Sequence, residues 1–94
     1  MTYPYVFPEY AHAPKYLCIQ VRKIKSELIE VENALAEVEE RFEDHDLSAL
    51  AGEIMDVIHA SETALRMIED NFGVDLFEVR EWTIEKNRVR GYYA

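Results

Sequence analysis

The stretch LCIQVRKIKSELIEVENALAEVEERF, residues 17–42, decides the fold. It contains neither glycine nor proline, and its apolar residues recur at alternating intervals of four and three. They are Leu17, Val21, Ile24, Leu28, Val31, Leu35, Val38 and Phe42. This heptad spacing is typical of a long helix that packs along another helix. We therefore predict a helix over residues 15–43, roughly 40 Å long at about 1.5 Å per residue.

Two further helices are expected after this one. The polar turn that follows contains Asp46 and Ser48, either of which could cap the second helix. That helix should stop near Gly73, because glycine readily takes the left-handed C-terminal position. Asp75 then opens a capping box for a third helix, which Gly91 ends. We predict an all-α fold, a bundle of three main helices, in a single domain over residues 1–94.

The N-terminal residues 1–14 differ in character from the helical part. Three prolines in this segment break helices and strands, and tyrosines and a phenylalanine lie between them. We predict an extended arm whose aromatic rings cover the helices or a partner subunit. Trp82, on the third helix, is expected to lie in the core between helices.

Size and composition limit the class of protein. A chain of 94 residues buries a modest core and cannot cover a 40 Å helix well, so a homodimer or higher homo-oligomer should complete a four-helix-type core. The net charge of −9 argues against nucleic-acid binding. No apolar run approaches the roughly 18 residues that span a membrane. The single cysteine fits a reducing compartment, and we expect a cytoplasmic protein.

Two pairs of acidic residues could bind a metal ion. Glu27 and Glu30 lie on the first helix, and Glu53 and Asp56 on the second; in each pair the residues are three apart and share a helix face. Both pairs flank the apolar stripe of their helix, so packing the stripes together could bring them to one groove. Mg²⁺ prefers such hard oxygen ligands, and Mn²⁺ is an alternative ion.

The same acidic spacing has a simpler interpretation, since it recurs at five other places in this acidic chain. These pairs are Glu37/Glu40, Glu40/Glu43, Glu43/Asp46, Asp75/Glu78 and Glu78/Glu81. Any one of them can be solvated helix surface. His59, three residues after Asp56, is favoured as a packing or surface histidine over a metal ligand, because Mg²⁺ prefers oxygen.

The order of these motifs resembles that of the MazG-like, all-alpha nucleoside triphosphate pyrophosphohydrolases. The first motif reads KIKSELIE at residues 23–30, and the second reads EIMD at 53–56. The third, EKNRVRGYY, occupies residues 85–93, and FGVDL at 72–76 looks like the turn before the family's last helix. The resemblance covers residues 15–93.

The resemblance implies an enzyme that uses Mg²⁺ to hydrolyse a nucleoside triphosphate to the monophosphate and pyrophosphate. Its implied metal ligands and catalytic residues are Glu27, Glu30, Glu53 and Asp56. Its implied substrate-binding residues are Lys23, Lys86, Asn87 and Arg90. The basic residues near the C-terminus have another interpretation, as cations that complement a helix dipole.

Two alternatives remain open. A phosphoribosyl-ATP pyrophosphohydrolase belongs to the same superfamily and is similarly short. A non-catalytic, dimeric helical interaction module would account for the heptad stripe directly, but it has no need of acids beside the apolar seam.

Overall fold

The computed structural model describes residues 3–93, so Met1, Thr2 and Ala94, which the predicted domain includes, lie outside it. Three helices make up the regular structure: α1 over Leu17–Arg41, α2 over Asp44–Phe72 and α3 over Leu76–Val89. The described part of the chain contains no strand. The all-α prediction with three main helices is confirmed.

The turn between α1 and α2 is tighter than the sequence indicated. Phe42 ends α1 in the left-handed conformation (φ 52°), and its N–H donates to the Val38 carbonyl. Glu43 then precedes α2, which already begins at Asp44. The expectation that Asp46 or Ser48 caps this helix is therefore wrong. Asp46 lies within the first turn, where its buried carboxylate accepts bonds from the Arg41 guanidinium at 2.7 and 3.3 Å.

The other helix ends follow the predicted signals. Gly73 ends α2 with φ 67°, a conformation that favours glycine. The Asp75 carboxylate accepts the backbone N–H groups of Phe77 and Glu78 at 3.0 and 3.3 Å, which caps α3. Gly91, with φ 80°, follows the end of α3.

An antiparallel hairpin of α1 and α2 forms the centre of the fold. Gln20 on α1, only 1% exposed, donates from Nε2 to the Ala60 carbonyl on α2 at 2.9 Å. The residues of α1 on this seam are buried or half-buried: Leu17, Gln20, Ile24, Glu27, Val31, Ala34 and Val38. Those of α2 are Asp46, Leu50, Glu53, Val57, Ala60, Ala64 and Met67. Both sets keep the spacing of three and four that helix pairs use.

The heptad stripe of α1 is only partly used in this hairpin. Every second member of it lies on the seam, whereas Val21, Leu28 and Leu35 are 51%, 46% and 43% exposed. The sequence therefore located the stripe, but one partner helix covers only half of it.

The N-terminal arm lies on the outer side of α2. Glu62 accepts the backbone N–H groups of Val6 and Phe7 at 2.7 and 2.8 Å, and Arg66 donates to the Phe7 carbonyl at 2.8 Å. The Phe7 ring stacks on His59, with ring centroids 4.8 Å apart. In the described residues, the arm therefore lies along α2 and places aromatic rings against it.

The third helix is less well covered than expected. Leu76 is buried at its start, but Trp82 is 62% exposed, so the expectation of a core tryptophan is wrong. The radius of gyration is 15.8 Å, against about 12 Å for a compact chain of this length. None of the helices in residues 3–93 has the length and apolar character needed to cross a membrane.

Candidate metal centre

Three of the four predicted metal ligands converge on one side of the hairpin. Carboxylate oxygens of Glu27, Glu53 and Asp56 lie within 4.8 Å of one another. Glu27 and Glu53 occur on the facing seams of α1 and α2, whereas Asp56 is one turn further along α2 and exposed. The spacing of three in the second pair and the antiparallel packing together create this cluster.

The fourth predicted ligand, Glu30, lies beside this cluster without being one of its three members. It is exposed on α1, and it borders with Glu53 a groove of about 320 Å³ that also reaches Glu37, Arg41 and Asp46. We call this side of the hairpin, with Glu27, Glu30, Glu53 and Asp56, the acidic face. The groove gives room for a ligand next to the clustered carboxylates.

The electrostatics of the acidic face favour a cation. Partial burial, followed by the negative charges of Asp56, Glu30 and Glu27, raises the pKa of Glu53 above its usual value. A carboxylate whose neighbours are all acidic gains from any positive charge brought next to it. The donor set of carboxylate oxygens fits Mg²⁺ or Mn²⁺ by its chemistry.

Lys23 is the cation that the structure places at this site. Its Nζ lies 3.0 Å from Glu27 Oε1, one helical turn away. The hydrogen bond and the charge of Glu27 raise the pKa of Lys23, and the charges of Tyr10 and Asp56 contribute to the same effect. Lys23 is half exposed, so its ammonium group is open to solvent as well as to Glu27.

The other predicted substrate-binding residues lie at the far end of α3. Among residues 3–93, no hydrogen bond or ion pair joins Lys86, Asn87 or Arg90 to the acidic face. The carbonyl of Asn87 accepts the N–H of Tyr92, and the N–H of Arg90 donates to the Lys86 carbonyl. These residues therefore stay an untested part of the predicted site.

A second acidic cluster was not singled out from the sequence. Glu43, His45 and Asp46 bring three ligand atoms within 4.8 Å of one another in the turn between α1 and α2. His45 lies 3.3 Å from Glu43 and 3.4 Å from Asp46, and Asp46 is paired with Arg41. Its sequence signal is the spacing of three between Glu43 and Asp46, with His45 between them. Because the Arg41 charge already compensates Asp46, this cluster is a poorer cation site than the acidic face.

His59 has the packing role that the sequence favoured over metal binding. Its Nε2 lies 3.1 Å from the Pro8 carbonyl, and its ring contacts those of Phe7 and Tyr10. Sequence reasoning did not single out Glu62, Arg66 and Glu69, which hold the arm. Their spacing of four and three with His59 was a signal for one shared helix face, but it gave no indication of what that face contacts.

The chain matches no protein-family model, no curated protein and no solved structure.

Proposed function

We propose that this chain is a Mg²⁺-dependent nucleotide pyrophosphohydrolase that converts a nucleoside triphosphate to the monophosphate and pyrophosphate. The observation that carries the proposal is the convergence of Glu27, Glu53 and Asp56 within 4.8 Å on facing helices. Motif order had singled out these pairs from seven with the same spacing. Two of the other pairs, Glu37/Glu40 and Glu43/Asp46, differ from these because Arg41 already pairs with Glu37 and Asp46.

Each residue has a distinct role in the proposed reaction. Glu27, Glu53 and Asp56, with Glu30 beside them, would hold the metal. When bound there, the ion would supply Lewis-acid chemistry and charge neutralisation for a polyphosphate. Lys23 would leave Glu27 and neutralise a phosphate, whereas the Arg90 guanidinium suits two parallel bonds to phosphate oxygens.

Among residues 3–93, no hydrogen bond or ion pair joins Lys86, Asn87 or Arg90 to the acidic face, so their proposed role requires α3 to move towards that face. We include a homodimer or higher homo-oligomer in the proposal. The open shape of the chain, with extents of 45 × 39 × 21 Å, supports it. The lone, exposed Cys18 supports the proposal of a reducing, cytoplasmic compartment.

Two other candidates remain beside this proposal. A phosphoribosyl-ATP pyrophosphohydrolase would use the same acidic face with a different nucleotide. A dimeric helical interaction module is favoured by the exposed part of the heptad stripe on α1. The acidic face separates it from the enzymes, because such a module has no need of clustered carboxylates.

A panel of nucleoside triphosphates, with phosphoribosyl-ATP added to it, tests the proposal. With Mg²⁺ we expect pyrophosphate release from at least one nucleotide, and with Glu53→Gln we expect that release to disappear. Glu40→Gln is the matched control, since it makes the same change on the exposed surface of α1. Wild-type protein that releases no pyrophosphate from any member of the panel would contradict the enzymatic proposal.

A further inference from the structure

A row of exposed apolar side chains follows each helix of the hairpin. On α1 the row consists of Val21, Leu28 and Leu35; on α2 it consists of Leu47, Ile54 and Ile58. All six side chains are between 39% and 51% exposed. We call these six residues the apolar face. Single exposed apolar residues are ordinary, but contiguous apolar patches on a protein surface mark interaction sites.

The two rows lie on one side of the hairpin, opposite the acidic face. A helix turns by about 100° per residue, which places both rows about 60–120° from the seam in the same rotational sense. Glu30 and Asp56 lie on the other side of the seam, and the seam residues Glu27 and Glu53 lie at that same edge of it. Because α1 and α2 are antiparallel, equal rotations bring both rows to the same surface.

The side of the hairpin that carries the apolar face has the size of a stable interface. The six residues span about 21 Å along α1, and the whole side that carries them, two helices of about 37 Å at about 10 Å, presents roughly 700–800 Å². This matches the roughly 800 Å² that each partner contributes to a standard interface. Burying it would also give the open chain, with its radius of gyration of 15.8 Å, the missing side of a four-helix core.

The charges beside the apolar row of α1 indicate which partner fits. Lys25 lies three residues before Leu28, and Glu32 lies four residues after it, on the same flank of the row. Neither residue takes part in an ion pair within residues 3–93. An antiparallel copy of α1 centred on Leu28 would place Lys25 beside the partner's Glu32, and the partner's Lys25 beside Glu32. A parallel copy would oppose like charges instead.

The row on α2 fits the same twofold axis. The Gln20–Ala60 bond and the Glu27–Glu53 approach join residues whose numbers add up to 80, so Leu28 lies level with Gly52. On α2, Leu47 lies five residues before Gly52 and Ile58 lies six residues after it. An antiparallel copy therefore places Leu47 next to the partner's Ile58, while the small Ala51 near the axis permits close approach.

We propose that the apolar face binds a second copy of this chain, with α1 antiparallel to the partner's α1 and the twofold axis at Leu28. This gives the dimer in the proposed function a defined surface and register, and it rests on that part of the proposal. It does not depend on metal binding or hydrolysis, because the acidic face lies on the other side of the hairpin. Failure of the dimer and failure of the enzyme are thus separate results.

Sedimentation of the full chain gives the first test. Wild-type protein should sediment as a dimer at micromolar concentration. Leu28→Glu should raise the dimer dissociation constant by about a hundredfold or more, because both copies of the charge meet at the axis. Ile29→Glu is the matched control: Ile29 is also exposed, but it points away from both α2 and the apolar face, and the dimer should persist. A monomeric wild type overturns the proposal. If that monomer binds vesicles of phosphatidylcholine and phosphatidylglycerol, a lipid surface is the partner of the apolar face and the proposal is overturned as well.

Cysteine cross-linking tests the register in a Cys18→Ser background. Leu28→Cys should form a disulfide-linked dimer under mild oxidation, because the two copies of residue 28 meet at the axis. Val21→Cys alone should not cross-link, since its copies would be roughly 21 Å apart along the helix, whereas its mixture with Leu35→Cys should. Circular dichroism of each variant shows whether the helices are retained. Helical Leu28→Cys protein that does not cross-link, or Val21→Cys protein that cross-links to itself, overturns the antiparallel arrangement.

Discussion

Glu62 holds the N-terminal arm on α2, and its removal should release the arm. The side chain is 7% exposed, and it accepts the N–H groups of Val6 and Phe7 at 2.7 and 2.8 Å. A hydrogen bond to a charged group contributes about 1.5–3 kcal/mol. Two such bonds set an upper limit of about 3–6 kcal/mol, but the freed amides regain water when the arm leaves. We therefore expect Glu62→Ala to weaken arm docking by about 2–3 kcal/mol.

Amide hydrogen exchange measures this change directly. A loss of about 2–3 kcal/mol corresponds to a roughly 30- to 150-fold loss of protection at the amides of Val6 and Phe7. The seam of the hairpin should keep its protection, because Glu62 lies on the outer side of α2. Glu40→Gln, an exposed change away from the arm, should alter neither region. Unchanged exchange at residues 6 and 7 in Glu62→Ala would refute the reasoning that these two bonds hold the arm.

Three further predictions concern the hairpin. Phe42→Gly should raise the free energy of unfolding by about 1 kcal/mol, because a left-handed residue with a Cβ is strained and the ring is 73% exposed; a loss of stability in thermal unfolding would oppose this. Gln20→Ala should lower the free energy of unfolding by roughly 2–3 kcal/mol, because a buried hydrogen bond and its packing are lost. Gln20→Met, which keeps the packing, should lower it less. Equal stability of all three proteins would contradict a stabilising role of Gln20 in the seam. The Arg41 guanidinium lowers the pKa of Asp46. The ion pair therefore stabilises the fold at pH values above the usual carboxyl range, and this stabilisation is lost as the pH falls through the lowered pKa. Asp46→Asn should flatten acid unfolding there, and an identical acid profile would contradict this role.

The helices could be predicted from the sequence because their signals are local. The heptad spacing over residues 17–42, the glycine at position 73 and the aspartate at 75 each act within a few residues of the chain. The start of α2 was missed by at least three residues, because Phe42 takes a left-handed conformation that glycine usually supplies. The Arg41–Asp46 pair then lies inside the turn, and nothing in the local pattern distinguishes such a pair from a cap.

The sequence predicted less accurately which surfaces of each helix are covered by other helices. A heptad stripe shows that a helix packs against something, but it does not say how many partners share it, and α2 covers only half of the stripe on α1. Trp82 was expected in the core because tryptophan is usually well buried, yet α3 leaves it 62% exposed. The convergence of Glu27, Glu53 and Asp56 was predictable because both pairs flank seams that face each other.

Metal binding at the acidic face tests the central claim most directly. Isothermal titration with Mg²⁺, repeated with Mn²⁺, should show binding to the wild-type chain and to Glu40→Gln, and loss of binding in Glu53→Gln. At a hundredfold excess over the dissociation constant, the bound ion should stabilise the wild type by about 2.7 kcal/mol. The melting temperature of the wild type should rise accordingly, and that of Glu53→Gln should not. Wild-type protein that binds neither ion, or Glu53→Gln protein that binds as tightly as wild type, would contradict the account.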